Sequence, residues 1–139
     1  MAKRTINSRD DLLNIFILGA AKPIAGDSPV ALKKVGLKTR VIDWQLDSFN
    51  ILAYNQINFL GGYHIEDIVR HYPQINYTLI KDWQTKPVLH SLLQASLEET
   101  AALITYADTI FRQDILKQLA TSDADISVAI DLNYQHRYS

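Results

Sequence analysis

A chain of 139 residues, 47% hydrophobic and 21% charged, has the length and composition of one globular domain, too short for two ordinary ones and too apolar for a disordered protein. Its 14 Lys and Arg against 15 Asp and Glu leave a net charge of -1, a field that recommends neither nucleic acid nor an anionic membrane as partner. The absence of cysteine excludes disulfides, thiolate nucleophiles and Cys-ligated metal centres, and a cytoplasmic setting is expected.

The opening stretch "MAKRTINSRDDLLN" is basic, but Asp10 and Asp11 interrupt it before a short apolar run, so no signal peptide is expected. No apolar run reaches the roughly 18 residues that a membrane span needs. Ile15 to Leu18 instead begins a series of strand-length apolar runs, continued at Ile57 to Leu60, Ile75 to Ile80, Ala102 to Tyr106 and Ile126 to Ile130. Several are continuous rather than alternating, which predicts strands buried on both faces and paired in parallel.

Segments with helical spacing lie between them. The first carries Val41, Trp44, Leu46, Phe49 and Leu52, with Trp44 expected in the core. The second carries Ile65, Ile68, Val69 and Tyr72, and Pro73 ends it. The third starts at Pro87 and carries Val88, Leu89, Leu92, Leu93 and Leu97; the fourth carries Ile115, Leu116 and Leu119. The alternation predicts a single α/β domain over residues 1–139, with a mostly parallel sheet of about five strands between helical layers. The tail "LNYQHRYS" follows the last expected strand.

Open sheets of this kind bind ligands outside the carboxyl ends of their strands. The segments placed there are "GAAKPIAG", "GGYH", "KDWQTKP", "AD" and "DLN". The loop from Gly19 to Gly26 offers backbone N–H groups, together with Lys22, to a phosphate. Neither G-x-G-x-x-G nor G-x-x-x-x-G-K-[ST] is present, which argues against a Rossmann dehydrogenase or a P-loop enzyme and leaves an ordinary turn as the alternative. Asp108 closes "AALITYAD" at a strand end, where a carboxylate suits Mg²⁺ shared with phosphates or, equally, a helix N-cap. Asp131 occupies a similar position one run later and is the weaker candidate.

His64, His71, His90 and His136 show no metal-ligand spacing, and Ser91 stands in "HSLLQAS" rather than in a nucleophile elbow. Trp83, in a loop after a strand, is available for stacking on a base.

Taken in order, "LGAA" at Leu18 to Ala21, "PVAL" at Pro29 to Leu32, "RVIDWQLDSF" at Arg40 to Phe49 and "LITYADTIFRQDIL" resemble the nucleotidyltransferases that activate sugar phosphates and phosphocholine. The resemblance covers nearly the whole chain and is closest to phosphocholine cytidylyltransferase-like domains. It implies a Rossmann-like three-layer sandwich and transfer of a nucleotidyl group from an NTP, CTP being the narrower expectation, to a phosphorylated small molecule, with release of pyrophosphate. Mg²⁺ is the implied cofactor. Carried over by position, Leu18, Gly19, Ala20 and Ala21 line the nucleotide, Ser91 lies near its base or ribose, and Asp108 holds the metal.

Two positions depart from the family pattern. Its loop arginine has Lys22 as the nearest cation, and the lysine of its P-K pair is Val30. Members of the family also continue into an acceptor-binding half after the fifth strand. The resemblance therefore carries an alternative, a catalytically impaired module of the same fold that binds a nucleotide or a protein. Self-association or fusion to a further domain is a corollary, and a flavodoxin-like domain is the remaining reading by fold pattern alone.

Overall fold

The structure, a computed structural model, describes residues 12–97 and 101–138. Residues 1–11, on which the signal-peptide expectation bears, lie outside the described residues. Among the described residues no helix is long and apolar enough to cross a membrane.

The first apolar run forms β1 (Leu13–Gly19), whose side chains are buried continuously from Asn14 to Leu18. Alternate residues serve opposite faces of the sheet. Ile15 and Ile17 join one apolar cluster, and Phe16 and Leu18 join another. Complete burial of one such side chain contributes about 1.5–3 kcal/mol, so this strand, filled on both sides, is the axis of the fold.

β2 (Tyr54–Gly61) and β4 (Ala102–Tyr106) flank β1 in parallel, and β3 (Asn76–Leu79) adds to the outside of β2. The sheet thus has four parallel strands in the order β3-β2-β1-β4. The first cluster lies under α1 (Val41–Phe49), α2 (Ile65–His71) and α3 (Gln113–Ala120), which contribute Ile42, Phe49, Ile68 and Leu116. The second lies under a 3₁₀ segment, Val88–Gln94, packed through Val88 and Leu92 on Phe16, Leu18, Leu60 and Ile80. Helices, sheet and 3₁₀ segment make the three expected layers.

The helical layer is tied together by polar contacts. Arg40 donates its backbone N–H to Asp43 Oδ2 at 2.8 Å, capping α1, and Tyr72 donates its hydroxyl to Asp43 Oδ1 at 2.5 Å. Tyr77 reaches up from β3 to donate to the Tyr72 carbonyl at 2.6 Å. Burial, and then the neighbouring Tyr72, pushes the Tyr77 phenol up to about 12.

Three expectations are corrected. Ile126 to Ile130 does not form a fifth strand among the described residues. It is extended chain with Ile126, Val128 and Ile130 exposed, and the outer edge of β4 has no described strand beside it to bond its backbone. The third helical segment is 3₁₀ rather than α: Pro87 accepts the His90 N–H at 2.9 Å and Val88 accepts the Ser91 hydroxyl at 2.5 Å, both three residues on. Trp44 is not core. It stands 46% exposed and donates its indole N–H to the Phe111 carbonyl at 3.3 Å. The inner face of α1 is formed by Val41, Ile42, Gln45, Ser48 and Phe49. The short α4 (Tyr134–Tyr138) closes the described chain.

Candidate functional site

Strand order sets the location. From β1 the chain builds outward through β2 and β3, then returns to the other side of β1 for β4, so the order reverses between β1 and β4. The loops that leave the carboxyl ends of β1 and β4 meet at this reversal, the position where open sheets take ligands. An open cavity of about 720 Å³ occupies this position.

Its walls come from three places. The end of β1 and the loop after it supply Leu18, Gly19, Ala21, Lys22 and the run up to Ser28; the connection to α1 supplies Val30, Lys33 and Lys34; the end of β4 supplies Tyr106 and Asp108. Three lysines thus face one cavity with two carboxylates, Asp27 and Asp108, and all five residues are exposed. That balance suits a polyanion accompanied by a cation.

The loop is fixed by Tyr63, which follows β2. Its backbone N–H donates to the Ala20 carbonyl at 2.9 Å and its hydroxyl to the Asp27 carbonyl at 3.1 Å. The Lys22 ammonium sits 5.8 Å above the ring centroid, a cation–π contact worth about 0.5–1 kcal/mol at an exposed site. Tyr63 is braced edge-on by Trp83, with centroids 5.5 Å apart. Gly62 permits that packing, since a Cβ there would lie 2.5 Å from Trp83 Cδ1.

Gly19 is small for a related reason. A Cβ would come within 2.3 Å of Phe59 Cζ and 2.9 Å of Ala107 Cβ. The glycine therefore lets β1 end against a buried ring while its backbone faces the cavity.

Asp108 sits on a tight turn after β4. The Ala107 N–H continues the ladder to the Leu18 carbonyl at 2.9 Å, and the Thr109 N–H turns back to the Tyr106 carbonyl at 3.2 Å. Among the described residues, the hydrogen bond to the Asp108 carboxylate comes from the Thr109 hydroxyl, 3.2 Å from Oδ1. No cluster of three or more His, Cys, Asp or Glu able to hold a metal occurs among the described residues. The donor set nevertheless fits Mg²⁺, which is commonly held by one or two carboxylates and completed by water and substrate phosphate rather than by a protein cage.

The structure brings together Leu18, Gly19, Ala21, Lys22 and Asp108, all anticipated from sequence, as cavity lining. Ala20 is buried in the second cluster and presents its carbonyl to Tyr63. Ser91 does not line the cavity; it is 2% exposed with its hydroxyl donated to Val88. Trp83 braces Tyr63 and is not in the lining. Asp131 lies on the exposed C-terminal segment, where Oδ1 accepts the Asn133 N–H at 2.9 Å.

No protein-family model matches the chain. It is 22% identical over 138 residues to the CTP:phosphoglutamine cytidylyltransferase of Campylobacter jejuni, with 88% of this chain and 54% of that protein covered. The CTP:phosphocholine cytidylyltransferase of Streptococcus pneumoniae has a similar backbone, with a TM-score of 0.63 and 20% identity over 74% of this chain and 50% of the other. The fold is that of a cytidylyltransferase. The chain spans about half the length of each of these two proteins.

Within the cytidylyltransferase fold, Lys33 and Lys34 and the two tyrosines Tyr63 and Tyr106 acquire places that single motifs did not assign. Their signal in the sequence is faint. The two lysines follow the loop but carry no spacing, and Tyr63 is one letter in "GGYH".

Proposed function

We propose that this chain is the nucleotide-binding part of a Mg²⁺-dependent nucleotidyltransferase that takes CTP and a phosphorylated small molecule. The observation that carries this reading is the meeting, at the strand-order reversal of a cytidylyltransferase fold, of a small-residue loop, three lysines and Asp108 around one cavity.

In the reaction proposed, a phosphate oxygen of the acceptor bonds to the α-phosphorus of the nucleotide, the bond from that phosphorus to the bridging oxygen breaks, and pyrophosphate leaves with the electron pair. The chemistry needs positioning and charge neutralisation rather than a covalent protein group. Lys22, held over Tyr63, and Lys33 and Lys34 on the connection to α1 balance charge on the triphosphate. The backbone from Leu18 to Ala21 lines the nucleotide, and Asp108 would hold Mg²⁺, which would supply charge neutralisation at the phosphates. The acceptor phosphate is assigned to the acceptor-binding half that the family resemblance implies, outside the roughly half of each relative that this chain spans.

Calorimetry with the four common NTPs in the presence of Mg²⁺ tests the reading. CTP is expected to bind, and Asp108→Asn to weaken binding at least about tenfold, the equivalent of 1.4 kcal/mol. Failure of all four nucleotides to bind overturns it.

A second reading has its own observation. Val30, on the cavity wall, stands where the resembled pattern has lysine, and an apolar residue there supplies no charge to a transferring phosphate. A module of this fold that binds a nucleotide without turnover would bind CTP yet release no pyrophosphate with any phosphorylated acceptor, and Val30→Lys would raise turnover from that floor.

A further inference from the structure

We infer that Gln45 is a positioning residue for Asp108. The inference rests on the proposed role of Asp108 as the carboxylate that holds a cation beside the nucleotide phosphates.

Gln45 is on the inner face of α1 and is completely buried. A buried primary amide is costly unless its donors are used, and Gln45 spends both on one target. Nε2 donates to the Tyr106 carbonyl at 2.8 Å and to the Thr109 carbonyl at 2.7 Å. These carbonyls flank Asp108 on either side, so one rigid amide clamps both ends of the turn that carries the carboxylate. Its Oε1 is buried without a hydrogen-bond partner among the described residues. A group that served only to fill the core would be better replaced by Leu or Met, which bury no unpaired oxygen. What the amide uniquely provides is the fixed separation of two carbonyls.

The contact spans the sheet's reversal point. α1 follows the phosphate-facing loop, and Arg40 at its start pairs through an antiparallel bridge with Lys34 on the cavity wall. Gln45 thereby couples the wall that carries Lys33 and Lys34 to the turn that carries Asp108. Without it, the bonds that remain in the turn among the described residues are the Thr109-to-Tyr106 and Ala107-to-Leu18 backbone bonds and the hydroxyl bonds of Thr105 to the Tyr106 carbonyl and of Thr109 to Asp108, none of which restrains the carbonyl of Thr109.

Three forms of the full chain test this: the parent, Gln45→Met, which keeps side-chain length and loses both donors, and Ile68→Val, a buried control on α2 that bears no hydrogen-bonding side chain. In the absence of ligand, exchange of the Thr109 amide is expected to quicken at least about tenfold in Gln45→Met relative to β2 amides, as for loss of the two hydrogen bonds, and to be unchanged in Ile68→Val. In calorimetry, and in Mn²⁺ titrations followed by electron paramagnetic resonance, Gln45→Met is expected to need about tenfold more metal for half-maximal CTP binding. Binding of CTP without metal stays at the parent level, a split that general loss of stability does not produce.

If Thr109 exchange is unchanged, or if Gln45→Met and the parent share one metal dependence while Asp108→Asn does not, the inference falls and the functional reading stands. If the parent binds no nucleotide at all, the functional reading falls and this inference with it. The exchange measurement still reports in that case whether Gln45 holds the turn.

Discussion

Gly19→Ala asks whether the glycine at the end of β1 is required by the fold or only by a ligand. The added Cβ would lie 2.3 Å from Phe59 Cζ and 2.9 Å from both Phe59 Cε1 and Ala107 Cβ. The Phe59 ring is fully buried and packs on Tyr77 at a centroid distance of 6.0 Å, so it has no solvent into which to withdraw. Forcing a methyl into such a site costs about 1–3 kcal/mol, and at 2 kcal/mol the folded-to-unfolded ratio drops roughly thirtyfold. Phe59→Leu removes the ring atoms that the methyl meets. The two substitutions together should therefore be less destabilising than their sum, by a coupling of about 0.5–3 kcal/mol. Equilibrium urea unfolding of the four proteins without ligand measures this directly. A Gly19→Ala protein as stable as the parent, or strict additivity in the double variant, would refute the packing argument and return the glycine to the ligand.

The loop clamp separates into two parts: Tyr63→Phe keeps the ring beneath Lys22 and loses the bond to Asp27, so CTP affinity should fall about fivefold, as for one net hydrogen bond, and Tyr63→Leu should cost more. Calorimetry with Mg²⁺ present reads both. The Tyr77 phenol, raised from 10.0 to about 12, stabilises the fold while protonated; its contribution is complete below pH 10 and is lost as pH rises toward 12. Thermal melts across that window should show an alkaline decline that is shallower in Tyr77→Phe, which will also start from lower stability through loss of the bond to Tyr72. In limited proteolysis the first cuts should fall between Ser122 and Leu132, where Ile126, Val128, Ile130 and Leu132 are 73–84% exposed, and mass spectrometry of the fragments locates them.

Much of the fold was legible because its strands coincide with apolar runs, although burial on both faces holds for β1 and not for β3 and β4, which are partly exposed. β1, β2, β3 and β4 all fall within or beside such runs, and the loop and Asp108 were found because parallel strands place their connections at one end. The misreadings have separate causes. Trp44 drew the apolar stripe of α1 one position away from its true face, because that face contains two polar residues, Gln45 and Ser48, that hydrophobic spacing discounts. Gln45 was hidden for the same reason, although a polar residue between Ile42 and Phe49 on the buried face is itself a signal of internal hydrogen bonding. Ile126 to Ile130 has strand composition, but a strand is a property of a pair, and sequence displays only one member. Ser91 was assigned by its position in a resembled segment, whereas its environment is set by the tightness of a 3₁₀ turn.

The sheet order has a kinetic consequence. β1, β2 and β3 are neighbours both in sequence and in space, and their pairings, Ile15 with Ile57 and Asn58 with Asn76, close over shorter separations than that of β4. β4 must instead find β1 after nearly the whole intervening chain has been made, pairing Ile15 with Leu103. Doubling a closure's length costs only about 0.6 kcal/mol, enough to place this pairing last, and the last strand to dock is the one that delivers Asp108. During refolding, a form with three strands in place would already present the lysine-bearing loop but not the carboxylate opposite it. Nucleotide affinity should therefore appear after most of the circular-dichroism signal has returned, at the rate of a single late step.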